Sequence, residues 1–229
     1  MTSHSIFRNP FVYFWDKAVE RSRFETMRVK LMNGLEFKIH TGNSDINTLT
    51  EVFATNGYAK FLSLITPGST AVDVGANFGA VSVGMAQRGA RVTAFEPNPY
   101  IVGLIKENAD LNNLDVEVVE KGIASEPCFA TMYFEPGAWG GGALIKDSLT
   151  SAKSVSFEVE CVTLPEADYL KLDCEGMEYD ILKSSPLGYK AIFVEYHEPR
   201  VEKIEIRTLL EKSGYFVTHY PEMNSYLAT

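Results

Sequence analysis

Several features are scarce in this chain, and each scarcity excludes a class of protein. Only three of the 229 residues are cysteine, and Cys128, Cys161 and Cys174 form no Cys-x-x-Cys pair. This usage indicates reduced thiols in a cytoplasmic protein, not a disulfide framework or a cysteine-bound metal. No apolar run approaches the roughly 18 residues that span a bilayer. The N-terminus lacks the apolar core of a signal peptide, so we expect no membrane contact.

Positive charge is also in short supply. The formal net charge is −9, which argues against binding of nucleic acid through bulk charge. Apolar residues make up 45% of the chain and charged residues 22%, as in ordinary globular proteins. The length suffices for one sizeable core.

The most informative segment is a corner that combines one acid with two glycines. Residues 71–79 read Ala-Val-Asp-Val-Gly-Ala-Asn-Phe-Gly, a buried strand followed by a turn into a helical pattern. In an open α/β sheet, ligands bind at this carboxyl edge of the strands. The spacing differs from the Gly-x-Gly-x-x-Gly of dinucleotide-binding proteins, which disfavours an NAD-dependent oxidoreductase. A carboxylate here suits a cationic ligand such as S-adenosylmethionine, which carries a sulfonium and an ammonium group.

A second acid follows at the end of the next predicted strand. Glu96 lies 21 residues after Gly75, within Arg91-Val-Thr-Ala-Phe-Glu-Pro-Asn. An acid at about this distance from a glycine turn accepts hydrogen bonds from ribose hydroxyls. Glu96 is therefore the candidate ribose ligand.

The hydrophobic periodicity predicts an α/β fold with two additions. An amphipathic helix over about 10–24 and a hairpin over 26–40, turning at Asn33-Gly34, form a small N-terminal cap. One further helix is expected from Asp45 to beyond Phe61, with Asp45 as a possible cap. From Pro67 onward, strands alternate with helices, as in a doubly wound sheet.

An inserted hairpin interrupts the predicted sheet. Its strands cover about 129–134 and 155–162, and the glycine-dense stretch 137–143 between them suits close approach to a ligand. Two further strands are expected near the C-terminus, one of them antiparallel. The predicted division is a cap at 1–42 and a catalytic domain at 43–229 with an insert at about 125–163.

Several blocks of this chain together resemble the FkbM family of class I S-adenosylmethionine-dependent methyltransferases. The blocks are Asn43-Ser-Asp45, Val72-Asp-Val-Gly-Ala-Asn-Phe-Gly79, Ala94-Phe-Glu-Pro-Asn98, Asn108-x-x-Leu-Asn112, Leu170-Lys-Leu-Asp-Cys-Glu-Gly-Met-Glu178 and Val194-Glu-Tyr-His197. The resemblance spans roughly residues 43–198. It implies a Rossmann-like doubly wound sheet and S-adenosylmethionine as cofactor.

The resemblance also implies roles on the cofactor side. The residues concerned are Asp45, Asp73, Gly75, Asn77, Gly79, Glu96, Asn98, Gly122 and Ile123. Gly75 and Gly79 let the backbone approach the methionine moiety, and Asp73 and Asn77 orient its ammonium or carboxylate. Glu96 and Asn98 belong to the ribose side, and the backbone of Gly122 and Ile123 borders the adenine. Asp45 is open between a ligand contact and a helix N-cap.

Candidate catalytic residues follow two later strands. Asp173, Glu175, Glu195 and His197 stand at carboxyl ends that face the acceptor side. His197 is the preferred general base, because its ordinary pKa is near neutrality, with Glu195 or Glu175 to orient it. The other interpretation makes His197 a strand-end residue satisfied by backbone. The acids Asp173, Glu175 and Glu195 can also be read as a divalent-cation site, although we expect no metal. Trp139 either closes over the acceptor or is an exposed aromatic.

These observations favour an O-methyltransferase acting on a small hydroxylated acceptor, such as a sugar or a secondary metabolite. An RNA or protein acceptor is the first alternative, and the acidic charge disfavours RNA. A catalytically silent S-adenosylmethionine-binding module is the second. The sequence leaves the oligomeric state open, a homodimer included.

Overall fold

The computed structural model describes residues 3–18, 25–42, 44–135, 138–143, 155–197 and 203–229. Its strands in chain order are β1 Thr26–Lys30, β2 Glu36–His40, β3 Thr70–Val74, β4 Arg91–Phe95, β5 Val116–Val119, β6 Gly122–Ile123, β7 Cys128–Glu135, β8 Ala138–Ala143, β9 Val155–Val162, β10 Tyr169–Leu172, β11 Ala191–Glu195, β12 Val217–Tyr220 and β13 Ser225–Ala228. Its helices are α1 Phe11–Ala18, α2 Asp45–Ala54, α3 Asn56–Leu64, α4 Ala80–Gln87, α5 Val102–Leu111, α6 Glu178–Ser184 and α7 Lys203–Lys212.

A seven-stranded sheet forms the centre, in the order β12-β13-β11-β10-β3-β4-β5. Strands β11, β10, β3, β4 and β5 pair in parallel, and β13 lies antiparallel between β11 and β12. This confirms the predicted doubly wound sheet with an antiparallel strand near the C-terminus. The strand order reverses between β3 and β10, which is where open α/β sheets bind ligands.

Both faces of the sheet are covered, and this explains its continuously apolar strands. Successive side chains point to opposite faces. Ala191 and Phe193 join the core shared with α2 to α5 and the N-terminal hairpin, whereas Ile192 and Val194 join the core shared with α6 and α7. All four are buried. The carboxyl ends of the parallel strands therefore meet along one edge.

The N-terminal hairpin has the predicted turn. β1 and β2 pair antiparallel, and Gly34 has φ +93° in the connection. Phe37 and Ile39 of β2 are fully buried in the core that also contains sheet residues. The predicted helix over 10–24 is described for Phe11–Ala18, and residues 19–24 lie outside the described part. The domain boundary at residue 42 stays a prediction.

One local prediction was wrong. The single helix expected from Asp45 to beyond Phe61 is two helices, because Thr55 between them is extended at ψ 155°. Residues 138–143 of the glycine-dense stretch form the strand β8, whose backbone pairs with β7, and their close approach to a ligand stays a prediction. The predicted hairpin is confirmed as β7 and β9, and with β6 these strands make a second sheet in the order β6-β9-β7-β8.

Candidate active site

A cavity of about 170 Å³ lies at the carboxyl edge of the central sheet, beside the reversal between β3 and β10. It is lined by Ser44, Thr48, Glu51, Gly75, Ala76, Asn77, Phe78, Ala80, Val81, Lys171, Asp173, Glu175, Glu195 and His197. All four predicted catalytic residues line it, together with Gly75 and Asn77. A larger hollow of about 510 Å³ opens at the amino ends of β3 and β4 and contains none of the predicted site residues.

The turn after β3 forms one wall of this cavity. Gly75, Asn77 and Gly79 have φ values of +68°, +53° and +87°, in the left-handed region that favours glycine. A Cβ atom on Gly75 would lie 1.9 Å from the carbonyl oxygen of Asp173, and one on Gly79 would lie 3.0 Å from Ile105. The packing of the protein itself therefore requires both glycines. Their predicted approach to the methionine moiety stays a prediction.

We expect Gly75→Ala to destabilise the fold by about 2–3 kcal/mol, because it combines a left-handed φ with the contact to Asp173. Gly34→Ala is the matched control, since Gly34 has φ +93° and nothing within 4 Å of a Cβ. It should cost only about 1 kcal/mol. Urea unfolding of both variants measures the difference, and equal losses would contradict the role of the Asp173 contact.

Asp73 and Lys171 form a buried pair behind the turn. Ser82 Oγ donates to Asp73 Oδ2 at 2.6 Å, and Lys171 Nζ lies 3.5 Å from Asp73 Oδ1. Burial raises the pKa of Asp73, and the Lys171 charge opposes that rise. Asp73 is fully buried and does not line the cavity. Its predicted contact with the cofactor stays a prediction.

Lys171 was not among the predicted site residues. Its Nζ donates to the carbonyl oxygens of Val74 at 3.1 Å and Gly75 at 2.8 Å, and it lies 3.3 Å from Asp173 Oδ2. Burial lowers the pKa of Lys171, but the charges of Asp173 and Asp73 raise it above its ordinary value. A lysine inside the buried strand β10 was the available signal, because buried lysines need a partner.

Glu96 lies at the end of β4, just behind the turn. Its carboxylate accepts the backbone N–H of Asn77 at 2.8 Å and that of Asn98 at 2.9 Å. Burial raises the pKa of Glu96 to about 7, although these two hydrogen bonds oppose the rise. Asn98 is fully buried, and its Oδ1 accepts the backbone N–H of Tyr100. Glu96 thus joins the two loops that flank the predicted ribose position.

The remaining predicted residues lie away from the cavity lining. Asp45 is the first residue of α2 and Ser44 is its N-cap, so the capping interpretation of Asp45 was wrong. The buried Asp45 carboxylate instead accepts the backbone N–H of His40 at 2.9 Å and lies 3.0 Å from His40 Nδ1. Gly122 and Ile123 form β6, beside β9. The backbone of Trp139 belongs to β8, and its side chain lies outside the described part of the structure.

His197 lies among three carboxyl groups at the carboxyl edge of the sheet. Its Nδ1 lies 2.9 Å from Glu178 Oε1, and its Nε2 lies 3.7 Å from Asp173 Oδ1 and 3.6 Å from Glu175 Oε2. The hydrogen bond that orients the ring therefore comes from Glu178, not from Glu195 or Glu175 as expected. Glu178 is fully buried. In the sequence, only its position in the Gly176-Met-Glu178 block pointed to a role for Glu178 in the site.

The carboxyl groups of the cavity shift one another's pKa values and that of His197. Burial lowers the pKa of His197, but the bond to Glu178 and the charges of Asp173 and Glu175 raise it to about 9. Burial raises the pKa of Glu195 to about 8, and the Asp173 charge adds to the rise. Burial and Asp173 also raise the pKa of Glu51. A pKa of about 9 favours the protonated form of His197 at neutral pH.

A metal ion has a possible set of ligands here. Ligand atoms of Asp173, Glu175 and His197 all lie within 4.8 Å of one another. His197 takes the place that the sequence-based alternative gave to Glu195. Lys171, at 3.3 Å from Asp173, already supplies a positive charge beside this set. The expectation that no metal is used stays a prediction.

The fold and the cavity together define a Rossmann-like protein with its ligand site at the strand-order reversal. The family described as "Methyltransferase FkbM domain" matches residues 73–217, more than half of the chain. The chain belongs to this family. The match confirms the resemblance, the fold class and the assignment as a methyltransferase of the S-adenosylmethionine-dependent class. No curated protein sequence matches the chain.

Solved structures are similar to the chain at low sequence identity. The Pyrococcus abyssi tRNA (uracil-54, C5)-methyltransferase, in complex with S-adenosyl-L-homocysteine, is 15% identical with a TM-score of 0.47, over 89% of this chain and 43% of that one. The magnesium protoporphyrin IX methyltransferase of Synechocystis PCC 6803, with bound S-adenosylmethionine, is 14% identical with a TM-score of 0.46, over 80% and 76%. This chain thus spans less than half of the archaeal enzyme. Among the described residues, no helix has the length and apolar character needed to cross a membrane.

Proposed function

We propose that this chain binds S-adenosylmethionine in the cavity and methylates a hydroxyl group of a small molecule or sugar. One observation carries the proposal. The cavity at the strand-order reversal is lined both by residues of the glycine turn and by Asp173, Glu175, Glu195 and His197. Such an arrangement suits a donor held by backbone on one side and an acceptor met by titratable side chains on the other.

The charges of the cavity match a cationic ligand. Four carboxyl groups line it, from Glu51, Asp173, Glu175 and Glu195, beside the two basic side chains of Lys171 and His197. The raised pKa values of Glu51 and Glu195 are the consequence of that excess, together with burial. A positive ligand relieves the repulsion, whereas a phosphate-bearing nucleotide would add to it.

On the donor side, the proposed contacts follow the loops of β3 and β4. Backbone of Gly75 and Asn77 faces the cavity and would hold the amino-acid end of the cofactor. Glu96 accepts two backbone amides and retains lone pairs for ribose hydroxyls, because a carboxylate offers about four acceptor positions. We keep Asn98 and Asp73 as supports of these loops, and the ligand contact of Asp45 rests on the family resemblance. The adenine contact of Gly122 and Ile123 rests on the family resemblance.

On the acceptor side, His197 is the proposed general base. When bound, S-adenosylmethionine supplies a methyl carbon that its sulfonium activates. With Nδ1 bonded to Glu178, the Nε2 atom of neutral His197 is left to accept the proton of an acceptor hydroxyl. Asp173 and Glu175 flank Nε2 and stabilise the imidazolium that results. Because the pKa of His197 is raised to about 9, the neutral form that acts as the base is favoured at alkaline pH. We assign Trp139 to the acceptor side and the cytoplasm as the location.

Cofactor binding is tested with Glu96→Gln. The glutamine NH₂ would face one of the two backbone N–H groups that Glu96 accepts, so the loops separate and the ribose loses a charged acceptor. We expect calorimetry to show binding of S-adenosylhomocysteine to the natural chain and at least about tenfold weaker binding to the variant. Glu107→Gln, on the exposed side of α5, is the control. Absence of binding to the natural chain would refute the proposal.

The acceptor class needs a separate assay. Transfer of a labelled methyl group to small hydroxylated compounds, to RNA and to protein is compared under one set of conditions. The proposal expects small hydroxylated compounds to be labelled, in keeping with the acidic charge of the chain. Labelling of RNA or protein alone would favour the first alternative. Binding without transfer to any acceptor would favour the silent module.

A further inference from the structure

We propose that Cys128 and Cys161 form a site of reversible covalent modification, in which a small-molecule disulfide such as oxidised glutathione joins them as an intramolecular disulfide. The two residues are direct partners in the antiparallel ladder of β7 and β9. Direct antiparallel partners have Cα atoms about 4.5–5.5 Å apart. A disulfide spans Cα separations of about 4.4–6.8 Å, so the backbone needs no rearrangement.

The two thiols are placed for different roles. Cys128 is exposed, whereas Cys161 is buried. Burial raises the pKa of the Cys161 thiol to about 11, and the neighbouring Cys128 thiol, with which it is hydrogen-bonded, adds to the rise. Cys161 Sγ also packs against Gly122, where a Cβ atom would lie 2.8 Å away. The exposed Cys128 therefore reacts first, and Cys161 reacts second from a fixed position.

The reaction balances with one oxidant molecule. The Cys128 thiolate attacks one sulfur of glutathione disulfide and releases one glutathione, leaving a mixed disulfide. The Cys161 sulfur then attacks Cys128 and releases the second glutathione, while its proton passes to the leaving thiolate. The protein loses two hydrogens and two electrons, and the oxidised glutathione becomes two reduced molecules.

The disulfide would fasten the base of the insert. Cys128 begins β7 and Cys161 lies near the end of β9, so the bond closes residues 129–160 into a loop. Cys161 is in addition the ladder partner of Gly122 in β6. Cys174 follows the separate strand β10, away from this ladder. The sequence predicted the hairpin of these strands but not its register, which is what makes Cys128 and Cys161 direct partners.

The full-length protein is equilibrated with increasing ratios of oxidised to reduced glutathione, alkylated and mapped by mass spectrometry. We expect Cys128 and Cys161 to lose alkylation together and to appear as one linked peptide, while Cys174 stays alkylated. Cys161→Ala should instead trap glutathione on Cys128. Alkylation of both thiols at every ratio, or a linkage to Cys174 or between chains, would overturn the proposal.

Thermal unfolding shows whether the bond forms in the native register. The oxidised protein should melt roughly 5 °C above the reduced one, because the bond restricts the unfolded chain. Cys128→Ser should abolish this difference, and Cys174→Ser should retain it. An oxidised protein that melts below the reduced one would overturn the proposal, because the bond would then strain the ladder.

Discussion

Lys171→Met is expected to lose about 3–5 kcal/mol of folding stability and to lower Tm by roughly 10 °C. The ammonium lies 3.5 Å from Asp73 and 3.3 Å from Asp173, and it donates to the carbonyl oxygens of Val74 and Gly75. Methionine has a similar length but supplies no charge and no donor. The buried carboxylate of Asp73 then keeps only its bond from Ser82, and Asp173 and the two carbonyl oxygens lose the ammonium.

The matched control is Lys190→Met. Lys190 Nζ is 2.7 Å from Asp168, a shorter separation, but the Lys190 side chain is 61% exposed. Water replaces that ion pair, so the loss should stay within about 1 kcal/mol. Equal losses of stability for both lysine variants in urea unfolding would contradict the view that burial makes the Lys171 ion pairs important for stability.

The loss of folding stability in Lys171→Met should also grow as the pH rises. Burial raises the pKa of Asp73, and removal of Lys171 takes away the main opposing charge. A carboxyl with a raised pKa contributes stability below its unfolded pKa and loses it as pH rises through the folded value. The variant should therefore be closest to the natural chain in acid. A deficit independent of pH would contradict this account.

His197→Gln is expected to lower kcat by about 10²–10⁴ and to leave the affinity for S-adenosylhomocysteine within about threefold. In the natural enzyme, kcat/KM should rise with pH and level off above about 9, because the base form of His197 is needed. The variant should show no such rise. His219→Gln is the control, since His219 bonds Tyr196 outside the cavity.

Glu178→Gln separates the proton transfer from a structural role of the ring. The glutamine keeps the hydrogen bond to Nδ1 but removes the charge that raises the pKa of His197. The rise in kcat/KM should move down by roughly one pH unit. Asp180→Asn, an exposed residue of the same helix, should not move it. An unchanged profile in Glu178→Gln would contradict the assignment of His197 as the base.

The sequence predicted the site where the relevant partners follow from strand order. Asp173, Glu175, Glu195 and His197 could be grouped because the carboxyl ends of parallel strands share one edge. The glycine turn was recognised for the same reason. The family match and the sheet topology confirm the class and the fold.

The sequence did not predict side-chain pairs that depend on how elements pack. Lys171 reads as one charge in an apolar strand, and only the packing of β10 on β3 shows that it holds the turn carbonyls. Glu178 is the first residue of α6, and the sequence does not show which way that helix turns its side chains. The contact between Gly75 and Asp173 was not predicted either, because it depends on how the turn after β3 packs against the end of β10.

The amides of Asn108 and Asn112 close a hydrogen-bonding edge that would otherwise attract other chains. Each receives and returns a backbone hydrogen bond, Asn108 with Lys38 and Asn112 with Glu36. One helical turn of four residues rises about 6 Å, close to the advance of about 6.8 Å over two residues of a strand. Helix α5 thus imitates a neighbouring strand with two side chains, and the outer rim of the hairpin is blocked against edge-to-edge aggregation.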